Sequence, residues 1–303
     1  MINKNEITAL IITSAIKSIP EIRKNMHSIS RVSKDLNFIE DTLENIKKYS
    51  GINKFLIVHD FKIDSEISKM HSKNLFKLKN KYKFDLLISP SSLDMPSQLT
   101  ASNAFKLGIR KIESKYLLFW EHDHLFIKEV DWHLVSKSFE YGGKLTKFNR
   151  QKNNLNSKKE LQKELILKKG LINQVFESNH KDLVSTNYYC NGPFIAEKDF
   201  CEELWNNVNF EIPNWNGIFG GFIEGPVNQK MIEDQLNQDE ENFRKKYPLF
   251  LYGGKSFDPI VIHRGNYYPK YKFSIFSFDT YRNIPRMLKH KLFNIFKNTN
   301  LKK

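Results

Sequence analysis

The sequence predicts an α/β fold with a mainly parallel central sheet flanked by helices. Between residues 5 and 125, short apolar runs alternate with longer polar segments of helical character. This order specifies right-handed strand, helix, strand units that share one sheet. The runs do not alternate polar with apolar residues, which is typical of strands buried on both faces. Helices are therefore expected to cover the sheet.

The predicted elements of this first half follow one another at short intervals. Strands are predicted over residues 7–13, 55–58 and 84–88. Helices are predicted over about 33–48, 65–81 and 97–112. The strand segments are apolar with β-branched or aromatic side chains, and Gly51 closes the first helix. The second strand ends at His59 and Asp60, where ligands of parallel sheets bind.

A fourth strand over residues 116–120 is apolar throughout and runs directly into Glu121, His122, Asp123 and His124. In an extended chain Glu121 and Asp123 would aim their carboxylates to one side. Two such oxygen ligands suit Mg²⁺ or Mn²⁺ held together with substrate phosphates. A zinc site is not indicated, because no further pair of Cys or His with zinc-like spacing lies nearby.

The second half of the chain has weaker patterns. Structured chain is predicted to resume over 188–196, with helices over 198–207 and 226–245 and short strands over 250–252 and 260–262. Residues 212–225 are rich in Gly, Trp, Phe and Asn, which predicts a shaped loop that includes Glu224.

The net charge of +14 is concentrated in two segments. Residues 144–169 carry +7 and residues 270–303 carry +8, so the rest of the chain is nearly neutral. The first segment is interpreted as a solvated insertion or helical flap. The second contains an amphipathic helix pattern, which either lies on an anionic membrane surface or packs on the domain. Nucleic-acid binding is not expected at the predicted crevice.

The cysteine count and the lengths of the apolar runs indicate the cellular compartment. Two cysteines do not make a disulfide framework, and no apolar run approaches the roughly 18 residues that span a membrane. A cytoplasmic protein is expected, peripheral on the inner membrane face if the tail binds lipid. One domain is predicted over 1–269, with a first half over about 1–126 and a second half over 127–269, followed by the basic tail 270–303.

The stretch NAFKLGIRKIESKYLLFWEHDHLF at 103–126 resembles the GT-A glycosyltransferases of the family 2 type, whose fold is Rossmann-like. In that family a helix with an Asn and a Gly precedes an apolar strand that ends in an Asp-x-Asp motif. Here the motif is Glu121-His122-Asp123, with Glu in the first place. Outside residues 5–125 the resemblance is limited to NGPFIAEKDF at 191–200, FIEGP at 222–226 and VIHRGN at 261–266.

The resemblance implies a metal-dependent glycosyltransferase that moves a sugar from a nucleotide-diphosphate sugar to a glycan or lipid-linked glycan. It further implies inversion, Mn²⁺ or Mg²⁺ as cofactor, and a role in cell-surface polysaccharide or lipopolysaccharide synthesis. The implied metal ligands are Asp123, Glu121 and His263. The implied donor contacts are Thr13, Asp60, Asn103 and Glu121. The general base is expected to be Glu224 or, from the Glu233-Asp234 pair, Asp234.

Two other functions are consistent with parts of the sequence. Nucleotidyl transfer uses a similar sheet and metal, although no Gly-rich phosphate loop with Lys or Arg follows the first strand. A non-enzymatic protein that binds nucleic acid or anionic surfaces would use the basic insertion and tail. Single residues also have simpler roles available: Asp60 as a turn cap, Glu224 as an ordinary loop carboxylate, and His263 as a satisfied histidine at a strand end.

Overall fold

The computed structural model describes residues 2–14, 37–92, 95, 97–122, 124–149, 183–186, 189, 192–206, 224–252 and 260–263. The strands are β1 (Ile7–Ser14), β2 (Phe55–Lys62), β3 (Asp85–Ser91), β4 (Tyr116–Glu121), β5 (His124–Phe126), β6 (Leu145–Phe148), β7 (Leu183–Thr186), β8 (Phe194–Glu197), β9 (Leu249–Tyr252) and β10 (Val261–His263). The helices are α1 (Asn37–Ser50), α2 (Glu66–Tyr82), α3 (Ser97–Lys111), α4 (Trp132–Glu140), α5 (Lys198–Asn206), α6 (Glu224–Asn237) and α7 (Glu240–Lys246).

Eight strands form one sheet in the order β3-β2-β1-β4-β8-β6-β9-β7. The first four are mutually parallel, and β6 and β9 run in the same direction. Only β8 and β7 run in the opposite direction within this sheet. The predicted α/β class with a mainly parallel sheet is therefore confirmed.

The sheet is buried on both faces, which explains why its strands are apolar without alternation. Along β1, Ile7, Ala9 and Ile11 belong to one core cluster, whereas Leu10 and Ile12 belong to the other. The first cluster includes side chains of α1, α2 and α4, and the second includes side chains of α3, α5, α6 and α7. The chain thus forms a helix, sheet, helix sandwich.

Gly108 brings α3 close to the sheet. A Cβ built at this position would lie 2.5 Å from Leu10 Cδ1 and 3.0 Å from Val58 Cγ2. Only a residue without a side chain fits between the helix and these strands at this separation. The glycine lies within the last turns of α3, so its role is close packing rather than ending the helix.

The interpretation of 144–169 as a solvated insertion is wrong for its first residues. Leu145–Phe148 is β6, an inner strand of the sheet between β8 and β9, and Leu145 is fully buried. Lys144 and Lys147 gave these residues a polar pattern that concealed two core side chains. Residues 150–169 of the insertion and the tail 270–303 lie outside the described residues.

The predicted helix over 226–245 is two helices. The second, α7, starts after Asp239, whose Oδ1 accepts a hydrogen bond from the Asn242 backbone N–H at 2.8 Å. Such a cap favours a new helix start over continuation of α6. The first helix begins at Glu224, so this residue lies in a helical first turn rather than in a loop. Among the described residues, no helix is long and apolar enough to cross a membrane.

Candidate active site

The carboxyl ends of β2, β1 and β4 lie side by side and bring three predicted site residues to one edge of the sheet. Thr13 is in register with His59, and Ser14 is in register with Asp60. On the other side of β1, Glu121 is in register with Ile12. Because ligands of open parallel sheets bind outside these strand ends, this edge is the candidate site.

Thr13 and Asp60 lie on opposite faces of the sheet. Thr13 Oγ1 is 3.0 Å from His71 Nε2 of α2, whereas Asp60 Oδ2 accepts a hydrogen bond from Thr100 of α3 at 2.8 Å. The sequence predicts both residues near one nucleotide, but strand ends alone do not reveal the register between strands. The register makes Ser14 the neighbour of Asp60, and Ser14 was not among the predicted residues.

The remaining predicted donor contact, Asn103, lies on α3 one turn after Thr100 and is exposed. Exposure leaves its amide accessible to a ligand at the α3 side of the edge. The structure thus places Asn103 on the same side of the sheet as Asp60 and away from Thr13.

Asp60 is at the centre of a buried polar network. Its Oδ1 accepts a hydrogen bond from Ser91 at 2.9 Å and lies 3.2 Å from the Lys62 ammonium. Lys62 Nζ also donates to Ser91 Oγ at 2.9 Å and to Thr100 Oγ1 at 2.6 Å. Asp60 and Lys62 are 1% and 2% exposed, so the two charges neutralise each other away from water. We call Asp60, Lys62, Ser91 and Thr100 the Lys62 network.

The predicted metal motif lies in the turn between β4 and β5. The extended strand ends at Glu121, and His122 is in the turn that follows. Asp123 lies outside the described residues. His124 is fully buried at the start of β5, and its Nδ1 is 3.4 Å from Glu121 Oε2. The partly exposed Glu121 carboxylate thus lies beside a buried histidine ring.

Helix α1 holds this turn from both ends. Thr42 donates a hydrogen bond to the His122 carbonyl at 2.9 Å. Asn45 accepts from the Phe126 backbone N–H at 2.7 Å and donates to its carbonyl at 3.0 Å. The Trp120 indole N–H donates to the His124 carbonyl at 3.0 Å. These bonds fix the backbone around Glu121 without any ligand.

A two-stranded antiparallel ribbon places His263 beside the motif. In the pairing of β10 with β5, His263 is directly opposite His124. The backbone of Asn149, just after β6, accepts hydrogen bonds from Ile260 and Val261 and ties the ribbon to the main sheet. The backbone thus places His263 next to the start of β5, while the side chain of His263 is not described.

The oxygen donors of this turn suit a hard divalent cation. Among the side chains that the structure describes, no group of three or more His, Cys, Asp or Glu is arranged to hold a metal ion. Of the three predicted ligands, Glu121 alone has a described side chain. Its partly exposed carboxylate at a strand end is compatible with binding a diphosphate-bound Mg²⁺ or Mn²⁺.

Two histidines, His59 of β2 and His71 of α2, lie in contact on the same side of the sheet as Thr13. His59 bonds through Nδ1 to Ser72 at 2.9 Å and through Nε2 to Ser68 at 3.3 Å. Its ring is 4.8 Å from that of His71 in an edge contact. Burial, together with a smaller effect of the nearby His59 and His122, lowers the pKa of His71 to about 3. A neutral His71 is therefore available as a hydrogen-bonding partner for Thr13.

Helix α6 runs from the candidate edge of the sheet to the opposite edge. Near its start, the Asn228 side chain bonds to both the N–H and the carbonyl of Tyr189, at 3.0 and 2.7 Å. Tyr189 precedes β8, whose first residues are paired with the end of β4. Glu224 is one turn before Asn228, so it lies toward the candidate site. It is half-buried.

Asp234 lies toward the far edge. Its Oδ2 accepts hydrogen bonds from Lys246 at 2.7 Å and from the Tyr247 hydroxyl, just before the amino end of β9, and Lys230 is 3.2 Å from Oδ1. Burial raises the pKa of Asp234, but the hydrogen bonds from Lys246, Tyr247 and Lys230 outweigh it and leave the pKa below its usual value. This environment is typical of a structural ion pair and unfavourable for a general base.

No family model matches the chain, and no curated protein matches it in sequence. Among the solved structures that match is the crystal structure of S. aureus TarS, with 10% identity and a TM-score of 0.45, covering 91% of this chain and 38% of that one. Another is the mannosyltransferase PcManGT from Pyrobaculum calidifontis in complex with GDP-Man and Mn²⁺, with 9% identity and a TM-score of 0.47. This match covers 96% of this chain and 64% of that one. The chain spans less than two thirds of either. Both likenesses are remote.

Proposed function

We propose that this chain is a metal-dependent glycosyltransferase, which transfers a sugar from a nucleotide-diphosphate sugar to a glycan or lipid-linked glycan with inversion. One observation carries the proposal: β1, β2, β4 and the distant β10 all end at one edge of the sheet, around a turn held in place by α1. Such a pre-formed edge with carboxylates, hydroxyls and histidines suits a ligand with a ribose, a diphosphate and a metal ion.

The donor occupies this edge in the proposed complex. Glu121, Asp123 and His263 would hold Mn²⁺ or Mg²⁺, which would supply positive charge to stabilise the departing diphosphate. The partly exposed Ser14 lies at the nucleoside end, with the buried Thr13 next to it in β1, and Asn103 lies on the α3 side. The hydrogen bonds from α1 and Trp120 hold the backbone around Glu121 before the donor binds. This backbone therefore loses little conformational entropy when the donor binds.

The acceptor side contains the general base, for which we propose Glu224. It accepts the proton of the acceptor hydroxyl while that oxygen attacks the anomeric carbon and the bond to the nucleoside diphosphate breaks. Glu224 lies at the end of α6 that is tied to the candidate edge. Asp234, the other candidate, is held by three donors toward the opposite edge and is not favoured.

The first experiment measures donor binding and turnover of the full chain. Nucleoside diphosphates are screened with Mn²⁺ or Mg²⁺ by thermal shift, since selective binding stabilises the native state. Nucleoside diphosphate release from the matching sugar donor is then measured with and without metal. Asp123→Asn should abolish the metal-dependent release, and Glu224→Gln should retain donor binding but lose transfer by 100-fold or more. Asp199→Asn, an exposed carboxylate on α5, is the matched control.

Two results would overturn the proposal. One is a wild-type chain that no nucleoside diphosphate stabilises in the presence of either metal. The other is turnover that survives Asp123→Asn unchanged.

We also propose that the basic tail 270–303 holds the enzyme at an anionic membrane on the cytoplasmic side, near a lipid-linked acceptor of cell-surface polysaccharide or lipopolysaccharide synthesis. Its charge of +8 and its amphipathic pattern support this. Deleting the tail should abolish salt-sensitive binding to anionic vesicles and leave activity on a soluble acceptor intact. Loss of folding would instead indicate a helix packed on the domain.

A further inference from the structure

The Lys62 network joins three separate segments at the candidate edge. Lys62 and Asp60 are at the end of β2, Ser91 is the last residue of β3, and Thr100 is in the first turn of α3. The connection continues through the backbone, because the Lys62 N–H donates to Ser68 Oγ of α2 at 2.9 Å and the Ile63 N–H donates to the Ser91 carbonyl at 3.0 Å. Two helices and two strands therefore meet at one buried lysine.

The ammonium and the carboxylate are both engaged within the network. Lys62 Nζ has three oxygen partners: Ser91, Thr100 and Asp60. Both Asp60 oxygens accept hydrogen bonds, one from Ser91 and one from Thr100. A nucleotide that bound Asp60 would have to enter a region where this residue is 1% exposed and displace one of these hydroxyls. Displacement would leave buried polar groups without partners, which is costly.

We infer that Lys62 is a positioning residue of the donor site and that Asp60 is its partner rather than a nucleotide ligand. The neutral pair holds the first turn of α3 against the ends of β2 and β3. It thereby sets the position of Asn103, which is one turn further along α3 and exposed at the same side of the edge. The claim that Lys62 positions the donor site rests on the proposed function. The claim that the pair holds the start of α3 does not depend on that function.

A double-mutant cycle separates the pair from its single residues. Asp60→Asn leaves the buried ammonium of Lys62 without an opposite charge. Lys62→Met leaves the buried carboxylate of Asp60 without one. Each single variant should lower Tm by about 5 °C or more. In the double variant, an amide can still bond with Ser91 and Thr100 and Met fills the space of the lysine stem. Its Tm should return to within about 2 °C of the wild type.

Hydrogen exchange tests the positioning role directly. Amides of residues 97–103 should exchange at least about tenfold faster in each single variant and return to the wild-type rate in the double variant. The matched control is the exposed pair Glu241 and Lys245, which is 2.7 Å apart with side chains 78% and 70% exposed. The variants Glu241→Gln and Lys245→Met should leave Tm and exchange unchanged, separately and together.

Donor affinity completes the test, with the nucleoside diphosphate that stabilises the wild type and its metal. The double variant should bind within about threefold of the wild type, because α3 has regained its position. A double variant with normal Tm and exchange but more than tenfold weaker binding would make Asp60 a nucleotide ligand and overturn the inference. If no nucleoside diphosphate binds the wild type, the proposed function fails. The inference then fails separately only if the double variant does not restore exchange at 97–103.

Discussion

The polar layer between β2 and α2 predicts a defined loss of stability in acid. His59 is fully buried and bonded through both ring nitrogens to the serines Ser68 and Ser72. Burial, together with a smaller effect of the positive charge of Lys62, lowers its pKa from 6.5 to about 4. The folded protein therefore holds His59 neutral at pH values at which the unfolded chain would protonate it.

The size and the sign of the effect follow from the two pKa values. The difference between 6.5 and about 4 corresponds to about 3 kcal/mol of unfolding free energy. This stability is fully present above pH 6.5, because both states are then neutral at this residue. It falls as the pH decreases below 6.5, since the unfolded state binds the proton first, and the loss is complete below about pH 4.

The assay is urea unfolding of the wild type and of His59→Gln at several pH values from 7.5 to 4. The glutamine amide does not ionise in this range. Between pH 7.5 and pH 4 the free energy of unfolding should therefore fall by about 3 kcal/mol less in the variant than in the wild type, whatever the stability of the variant at pH 7.5. The control is His133→Gln, which replaces an exposed histidine of α4 instead of a buried one and so separates the loss of a histidine in general from the loss of a buried histidine. Identical pH profiles for the wild type and His59→Gln would refute the reasoning.

Three further predictions concern packing and hydrogen bonds. Gly108→Ala should destabilise the protein by about 1–3 kcal/mol in urea unfolding, since the new methyl group overlaps Leu10, and an unchanged midpoint would contradict the close packing of α3. Asn45→Ala should cost about 1–3 kcal/mol and increase hydrogen exchange at Phe126, since both bonds to that backbone are lost; wild-type exchange there would count against the role of α1. Asp234→Asn should lower stability above pH 4, by an amount that disappears as the pH falls below 4, and leave turnover within twofold; a large loss of turnover would restore Asp234 as a base candidate.

Much of the fold could be predicted from the sequence, because strands buried on both faces have uninterrupted runs of apolar residues. The run from Tyr116 to Trp120 is a central strand, and such strands read as uninterrupted apolar residues. The same rule failed at β6, where Lys144 and Lys147 surround the buried Leu145. A short strand flanked by lysines does not differ in composition from a solvated loop.

The site was accessible only in outline, because its details depend on contacts between distant residues. Strand ends identified Thr13 and Asp60, but their opposite faces follow from the register between β1 and β2. Lys62 has the composition of a surface residue, and its partners Ser91 and Thr100 are 29 and 38 positions further along the chain. No local pattern connects these residues.

The ribbon of β5 and β10 affects the order in which the candidate site is assembled during folding. Synthesis proceeds from the amino end, so β1 to β9 emerge before His263 does. The eight-stranded sheet can therefore form while the turn after β4 still lacks its antiparallel partner. Contacts between segments so distant in the chain also form late because of their entropic cost. Chains shortened after Tyr252 should consequently be folded but lack the proposed transferase activity, because the candidate site is completed only when β10 pairs with β5.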